Sequence, residues 1–457
     1  MDRSFDAIVI GAGQAGPPLA QRLSKAGKSV ALIERKLFGG TCVNTGCIPT
    51  KALVASAYAA HLARRAAGYG IAIDGTVRVD FGRVMQRARD IAANARANIR
   101  KWLHSMENCT VIEGHAQFED RSTVRVGDKL FSAPKIFIDV GARATVPDLP
   151  GVSSVPTLTN SSILELRELP KHLIVIGGSY VGLEFGQMFR RFGAEVTIVE
   201  KGPRLVSRED PEISQQIREI FTQEGIAVRT GAECIRLAKH ERGIAVGLEC
   251  KSGDPEIVGS HVLLAVGRTP NTSDLGLDKA GVDADERGYI RVDDTLATNV
   301  SGIWALGECN GRGAFTHTSY NDYEIVAANL LDGEQRRVSE RILAYALYTD
   351  PPLGRVGMTL AQARASGRKI LVGTRQMSRV GRAIERGETL GTMQIIVDAE
   401  SKEILGASIL GTSGDEAIHG VIDIMNAKAP YTALKWAVPI HPTVSEMLPT
   451  LLSELRE

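Results

Sequence analysis

Short, mostly apolar runs recur at residues 5–10, 29–33, 136–140, 172–176, 194–199, 262–266 and 303–306. Runs of this length with little polar alternation mark parallel strands buried on both faces. Longer amphipathic stretches separate several of them. One follows the first run and is stopped by Gly27, and another reaches residue 192 and is stopped by Gly193, glycine being the usual helix terminator. Helices are also predicted from the cysteine-bearing segment to about residue 67, over 81–106, and over 316–331. Between residues 109 and 140 the pattern shortens and alternates, with Val111, Phe118, Val124, Val126 and Phe131 predicting a β-meander. Beyond Gly333 it changes again. Strands at 369–374, 392–398 and 403–410 and helices at 415–426 and 443–455 predict a separate α+β domain. The expected fold is α/β: two Rossmann-like units and a C-terminal α+β domain, divided at 1–150, 151–266, 267–335 and 336–457.

Glycine placement gives the first two units a purpose. The first strand runs into Gly11-Ala12-Gly13-Gln14-Ala15-Gly16, then a helix, then a second strand closed by Glu34. In such a unit the first glycine makes the tight turn, the second admits a pyrophosphate, and the third lets helix and strand pack. The pyrophosphate sits on the helix N-terminus and the acid accepts from a ribose. The order recurs at Gly177-Gly178-Ser179-Tyr180-Val181-Gly182, with Glu200 closing the following strand and Ser179 in the middle glycine's place. Two units imply two dinucleotides, a flavin and a nicotinamide being one pairing. A duplicated second unit without ligand is the competing reading.

Composition narrows the class. The 457 residues are 44% hydrophobic, with 54 basic against 53 acidic side chains and a net charge of +1. That balance gives no reason to expect nucleic acid or an anionic membrane as partner. No apolar run is long enough to span a bilayer, and no secretory leader is expected at Met1-Asp2-Arg3-Ser4, so a cytoplasmic protein is expected. Six cysteines in so long a chain do not make a disulfide framework. Cys109, Cys234, Cys250 and Cys309 stand singly and are expected to be buried thiols.

Cys42 and Cys47 are different. They lie five apart in Gly40-Thr41-Cys42-Val43-Asn44-Thr45-Gly46-Cys47-Ile48-Pro49-Thr50-Lys51. Pro49 suits the first turn of a helix, and a thiol at a helix N-terminus is biased toward thiolate. A close cysteine pair in a cytosolic protein reads as a redox dithiol. A structural metal site would need two further ligands, and no second cysteine or histidine cluster offers them. No resident metal is expected.

These residues resemble a known family, the two-cysteine flavoprotein disulfide reductases that include glutathione reductase, dihydrolipoamide dehydrogenase and mercuric reductase. The resemblance is carried by Gly40-Thr41-Cys42, Gly46-Cys47-Ile48-Pro49-Thr50-Lys51, Gly267-Arg268-Thr269-Pro270-Asn271 and His441-Pro442-Thr443-Val444-Ser445-Glu446. It implies FAD along the first unit, on Gly11, Gly13, Gly16, Glu34, Gly40, Thr41, Lys51, Gly141 and Glu308. Glu308 stands where the family usually has Asp. It implies a nicotinamide nucleotide on Gly177, Gly178, Ser179, Tyr180, Val181, Gly182 and Glu200, with Gly267, Arg268 and Thr316 as further cofactor contacts. Cys47 would face the flavin and Cys42 would attack the substrate. Lys51 would pair with Glu184, Tyr180 would be the lid over the nicotinamide pocket, and His441 with Glu446 would move protons from a neighbouring subunit, making the C-terminal domain a dimerisation domain. Thiol–disulfide exchange needs such an acid and base, and a carboxylate-held histidine serves at neutral pH.

Glu200 favours NADH over NADPH, because a carboxylate accepts from a free 2′-hydroxyl and repels a 2′-phosphate. Lys201 and Arg204 follow it as possible phosphate partners. The acceptor is expected to be a small disulfide or oxidant. A mercuric or cupric ion is the alternative, since soft thiolates suit both; a redox-sensing flavoprotein is a third reading. The chain ends without the vicinal cysteines usual in mercuric reductases. Its segment Asp350-Pro351-Pro352-Leu353-Gly354-Arg355-Val356-Gly357-Met358 is similar to a mercuric-reductase-like branch that includes enzymes linked to reactive chlorine and copper stress.

Overall fold

The computed structural model describes residues 3–249 and 253–457; Met1, Asp2 and the expected buried thiol Cys250 lie outside it. The α/β fold expected from the sequence is the observed one. Strand Ala7–Ile10, buried at every position, is central in a five-stranded parallel sheet. Ile136–Ile138 and then Ile303–Ala305 flank it on one side, and Val30–Glu34 and then Cys109–Glu113 on the other. The second unit is a four-stranded parallel sheet ordered Ala227–Thr230, Glu195–Glu200, His172–Ile176, His261–Leu264. Both present their glycine turns at the carboxyl ends of the strands, where open α/β sheets bind ligands.

Two expectations are corrected here. Cys109–Glu113 extends the parallel sheet beside Val30–Glu34 rather than opening the meander, so Val111 packs with the first unit. The meander is the sheet of Ala116–Phe118, Thr123–Val126 and Lys129–Ser132, joined by Arg3–Ser4. Cys234 is exposed, on a backbone of positive φ (+51°), not buried; Cys109 is half-buried and Cys309 fully buried.

The C-terminal domain is a five-stranded antiparallel sheet ordered Ala344–Leu347, Leu353–Gly357, Ile404–Leu410, Thr392–Asp398, Ile370–Gln376. Its last helix is shorter than the sequence predicts, Met447–Ser453, and the helix expected over 415–426 is broken into Gly414–Ala417 and His419–Asn426. Leu347, Leu353 and Leu410 of this domain join Leu53, Phe81, Leu183 and Phe189 in one continuous core. That shared core fixes the C-terminal domain against the helices that carry Lys51 and Glu184. Just before His441 the chain exposes Trp436, Val438 and Ile440, Val438 at 97%.

Candidate active site

Helix Cys47–Arg64 begins at Cys47 itself, so its thiol sits at the positive end of the helix dipole. Gly40 anchors the dithiol segment on the first glycine turn: a Cβ there would lie 2.9 Å from the Cα of Gly13. Cys47 Sγ lies 3.2 Å from Thr316 Oγ1. The hydrogen bond from Cys42 holds the Cys47 thiol below its usual range, to about 6, aided by Thr316 and the Lys51 charge against the opposing effect of burial. The same bond, with burial, pushes the Cys42 thiol up. Position favours the same member of the pair: Cys47 opens the helix and feels the Lys51 charge, so it is the thiol biased toward thiolate.

Lys51 Nζ pairs with Glu184 Oε2 and lies 4.4 Å from the centre of the Tyr348 ring. The other oxygen of the buried Glu184 accepts from Tyr348 N–H at 3.0 Å. Lys51 is thus held from two sides, with its charge beside Cys47.

These groups open into one cavity of about 1150 Å³. That exceeds the roughly 300–1,000 Å³ of ordinary small-molecule sites and suits a dinucleotide. Gly11, Gly13, Glu34, Gly40, Thr41, Gly141, Lys51, Tyr180, Val181, Glu184, Arg268, Glu308 and Thr316 all line it. Glu34 accepts from Ala12 N–H at 2.9 Å and from Lys36 N–H at 2.7 Å. Glu308 and Arg268 are brought to each other, Arg268 Nε donating to Glu308 Oε1 at 2.6 Å. In the second unit Glu200 accepts from Gly178 N–H and Gly202 N–H, both at 2.6 Å. Gly16, Gly177, Gly178, Ser179, Gly182, Glu200 and Gly267 shape the two turns and their surroundings without lining this cavity.

His441 Nδ1 is 2.8 Å from Glu446 Oε2, the histidine side chain being 81% exposed and the carboxylate largely buried. Neither lines the cavity of its own chain. Among the described residues no group of three or more His, Cys, Asp or Glu is placed to hold a metal ion, and no helix is long and apolar enough to cross a membrane.

Sequence reasoning missed Asp139, Glu209, Tyr345, Tyr348 and Arg355. Asp139 lines the cavity, is buried, and accepts from Gly16 N–H at 2.8 Å. Burial pushes its carboxyl up to about 8, opposed by the Gly16 hydrogen bond and reinforced by Glu34. The available signal was a lone acid at the end of an apolar strand. The other four act through long-range contacts that no local pattern marks.

Residues 5–322 match the family model described as pyridine nucleotide-disulphide oxidoreductase, and residues 343–452 match the dimerisation domain of the same family. The chain is 38% identical to the probable pyridine nucleotide-disulfide oxidoreductase RclA of Escherichia coli (strain K12), covering 98% of this chain and 99% of that one. It is 33% identical to a mercuric reductase of Streptomyces lividans, covering 91% of this chain and 88% of the relative. A solved structure, the Cu(II) complex of the HOCl-induced flavoprotein disulfide reductase RclA from Escherichia coli, superposes with a TM-score of 0.90 at 37% identity over 99% of each chain.

Proposed function

The chain belongs to the pyridine nucleotide-disulphide oxidoreductase family, and we propose that it carries electrons from NADH to the Cys42–Cys47 pair and on to a small disulfide or oxidant in the cytoplasm. It is an enzyme of that class, binding FAD and a pyridine nucleotide and bearing a dimerisation domain. The observation that carries the reading is a pair of cysteines, Cys42 and Cys47, lining one dinucleotide-sized cavity together with Lys51 and Thr316.

In this reading residues 1–150 and 267–335 form the FAD domain, 151–266 the nicotinamide domain and 336–457 the interface domain. The residues lining the cavity around the first glycine turn fit FAD, with glycine backbone at Gly13 and Gly40 and a carboxylate, Glu34, already oriented by two N–H groups. When bound, FAD supplies the hydride acceptor and the two-electron relay. Lys51, fixed by Glu184, keeps a positive charge near Cys47 and would offer it to the flavin when bound. Cys42 attacks the acceptor disulfide, and Cys47 then closes the Cys42–Cys47 disulfide as the second substrate thiol leaves. The partner subunit's His441, oriented by Glu446, gives the leaving thiolate its proton and takes one from Cys42. In sum, NADH, a proton and a disulfide become NAD⁺ and two thiols.

NADH is favoured because Glu200, held at the strand end by the N–H groups of Gly178 and Gly202, is a carboxylate, which accepts from a free 2′-hydroxyl and repels a 2′-phosphate. Arg204 is turned away, donating to the carbonyls of Ser207 and Glu209 at 3.0 and 3.4 Å. A second reading has a soft metal ion as substrate of the same thiols. It is supported by the likeness to mercuric reductases and to the Cu(II)-bound relative.

Steady-state oxidation of NADH and NADPH against glutathione disulfide, lipoamide, Hg²⁺, Cu²⁺ and quinones tests both. We expect NADH to be preferred and a disulfide or small oxidant to be reduced, with turnover lost in Cys42→Ala. A preference for NADPH, or turnover only with a metal ion, overturns the corresponding part.

A further inference from the structure

Tyr180 is held in a buried web that the reaction itself does not use. Its hydroxyl donates to Glu209 Oε1 at 3.2 Å, and Tyr345 donates to the same oxygen at 2.8 Å. Arg355 holds the other oxygen of Glu209 through Nε at 3.0 Å and Nη2 at 2.5 Å, and both side chains are 0% exposed. Asp210 steadies the arginine at 3.3 Å and accepts from the N–H groups of Leu360 and Ala361. A buried pair of this kind is costly to break, because the remaining charge is left unpaired, so Glu209 is a rigid post. The rings lock as well. Phe315 stacks on Tyr345 at 5.5 Å and 12°, and Tyr180 meets both edge-on at 5.7 and 6.2 Å.

The web crosses a module boundary. Tyr180, Glu209 and Phe315 lie in the segment matching the oxidoreductase model, whereas Tyr345 and Arg355 lie in the dimerisation domain. We propose that the dimerisation domain latches the nicotinamide lid: Tyr345 and Arg355 position Glu209, and Glu209 holds the Tyr180 hydroxyl so that the lid stays shut until the nicotinamide displaces it. The inference rests on reading Tyr180 as that lid. A ligand that must open a closed state binds more weakly by the fraction of molecules already open. Releasing the latch therefore tightens binding of the nicotinamide end and leaves the rest of the nucleotide alone. Glu209, Tyr345 and Arg355 are positioning residues.

The test is calorimetric titration of the flavin-loaded enzyme with NAD⁺ and, as a control lacking the nicotinamide, ADP-ribose. Tyr180→Phe keeps the covering ring and removes the latch. NAD⁺ is expected to bind about tenfold tighter, the worth of one hydrogen bond to a charged group, with ADP-ribose unchanged. Tyr345→Phe is expected to alter NAD⁺ affinity when Tyr180 is present and to have no effect in the Tyr180→Phe background. If Tyr180→Ala shifts NAD⁺ affinity and Tyr180→Phe does not tighten it, Tyr180 is a lid without a latch and the inference fails. If neither variant shifts it, the lid reading fails and takes the latch with it.

Discussion

At the first glycine turn, Gly11 has φ +110° and a Cβ there would lie 2.1 Å from the carbonyl oxygen of Asp139. At the second, Gly177 has φ +117° and a Cβ would lie 2.3 Å from that of Ala265. Gly16 and Gly182 match too, each facing the carbonyl of its turn's first glycine at 2.2 and 2.0 Å. Glu34 and Glu200 each accept from two backbone N–H groups, one of them in the turn. The turns part at the residue beneath. Asp139 and Ala265 hold the same place, each donating N–H to the strand before the turn at 2.7 Å. A Cβ on Gly13 would lie 2.8 Å from the Asp139 carboxyl, and the dithiol segment closes the other side at Gly40. The second turn has alanine beneath it, and Ser179 sits there in extended backbone, φ −115°. The middle glycine is thus demanded by what surrounds the first turn, and the serine is not a defect in the second.

The largest expected consequence belongs to Asp139. Its carboxyl titrates near 8 when folded against 3.8 for the unfolded group. Between those values the folded chain holds a proton that the unfolded chain has released. Stability therefore falls as pH rises from about 4 to about 8 and levels off above. At about 1.36 kcal/mol per pH unit, the window is worth on the order of 6 kcal/mol. Asp139→Asn should lack that slope, so the melting-temperature difference between wild type and Asp139→Asn should move steadily against wild type from pH 5 to pH 8. A constant difference would mean that Asp139 is ionised when folded.

Next come the paired glycines. Gly16→Ala and Gly182→Ala each force a Cβ into a carbonyl and should cost roughly 2–3 kcal/mol locally. Gly16→Ala should purify with little flavin absorbance, whereas Gly182→Ala should keep its flavin and lose NAD⁺ affinity about a hundredfold. Equal loss of both ligands in both variants would break the division of labour between the turns.

The smallest effects come from exchanging the middle residues. Gly13→Ser should weaken FAD retention by about 1 kcal/mol or more, read by flavin release on dilution. Ser179→Gly should change NAD⁺ affinity by less than about 0.5 kcal/mol.

Much of this was legible in the sequence because it is local. The glycine turns, the acids that end the strands and the residues 40–51 segment are short patterns whose spacing already states their geometry. Asp139 was not, since its role depends on a helix 123 positions earlier in the chain. Cys109–Glu113 looked like the start of a meander because its alternation is that of its neighbours; only pairing with Val30–Glu34 assigns it. Tyr345 and Arg355 carry no local pattern that marks a role; only the fold sets them against Glu209.

The asymmetry of the dithiol remains the centre of the account. Its direct measurement is a pH titration of the long-wavelength absorbance that a thiolate beside the flavin gives, in anaerobically reduced wild type and in the two serine variants. We expect an apparent pKa near 6 in wild type. The band should survive in Cys42→Ser, whose hydroxyl still donates to Cys47, and vanish in Cys47→Ser. A band that persists in Cys47→Ser and is lost in Cys42→Ser would contradict the assignment.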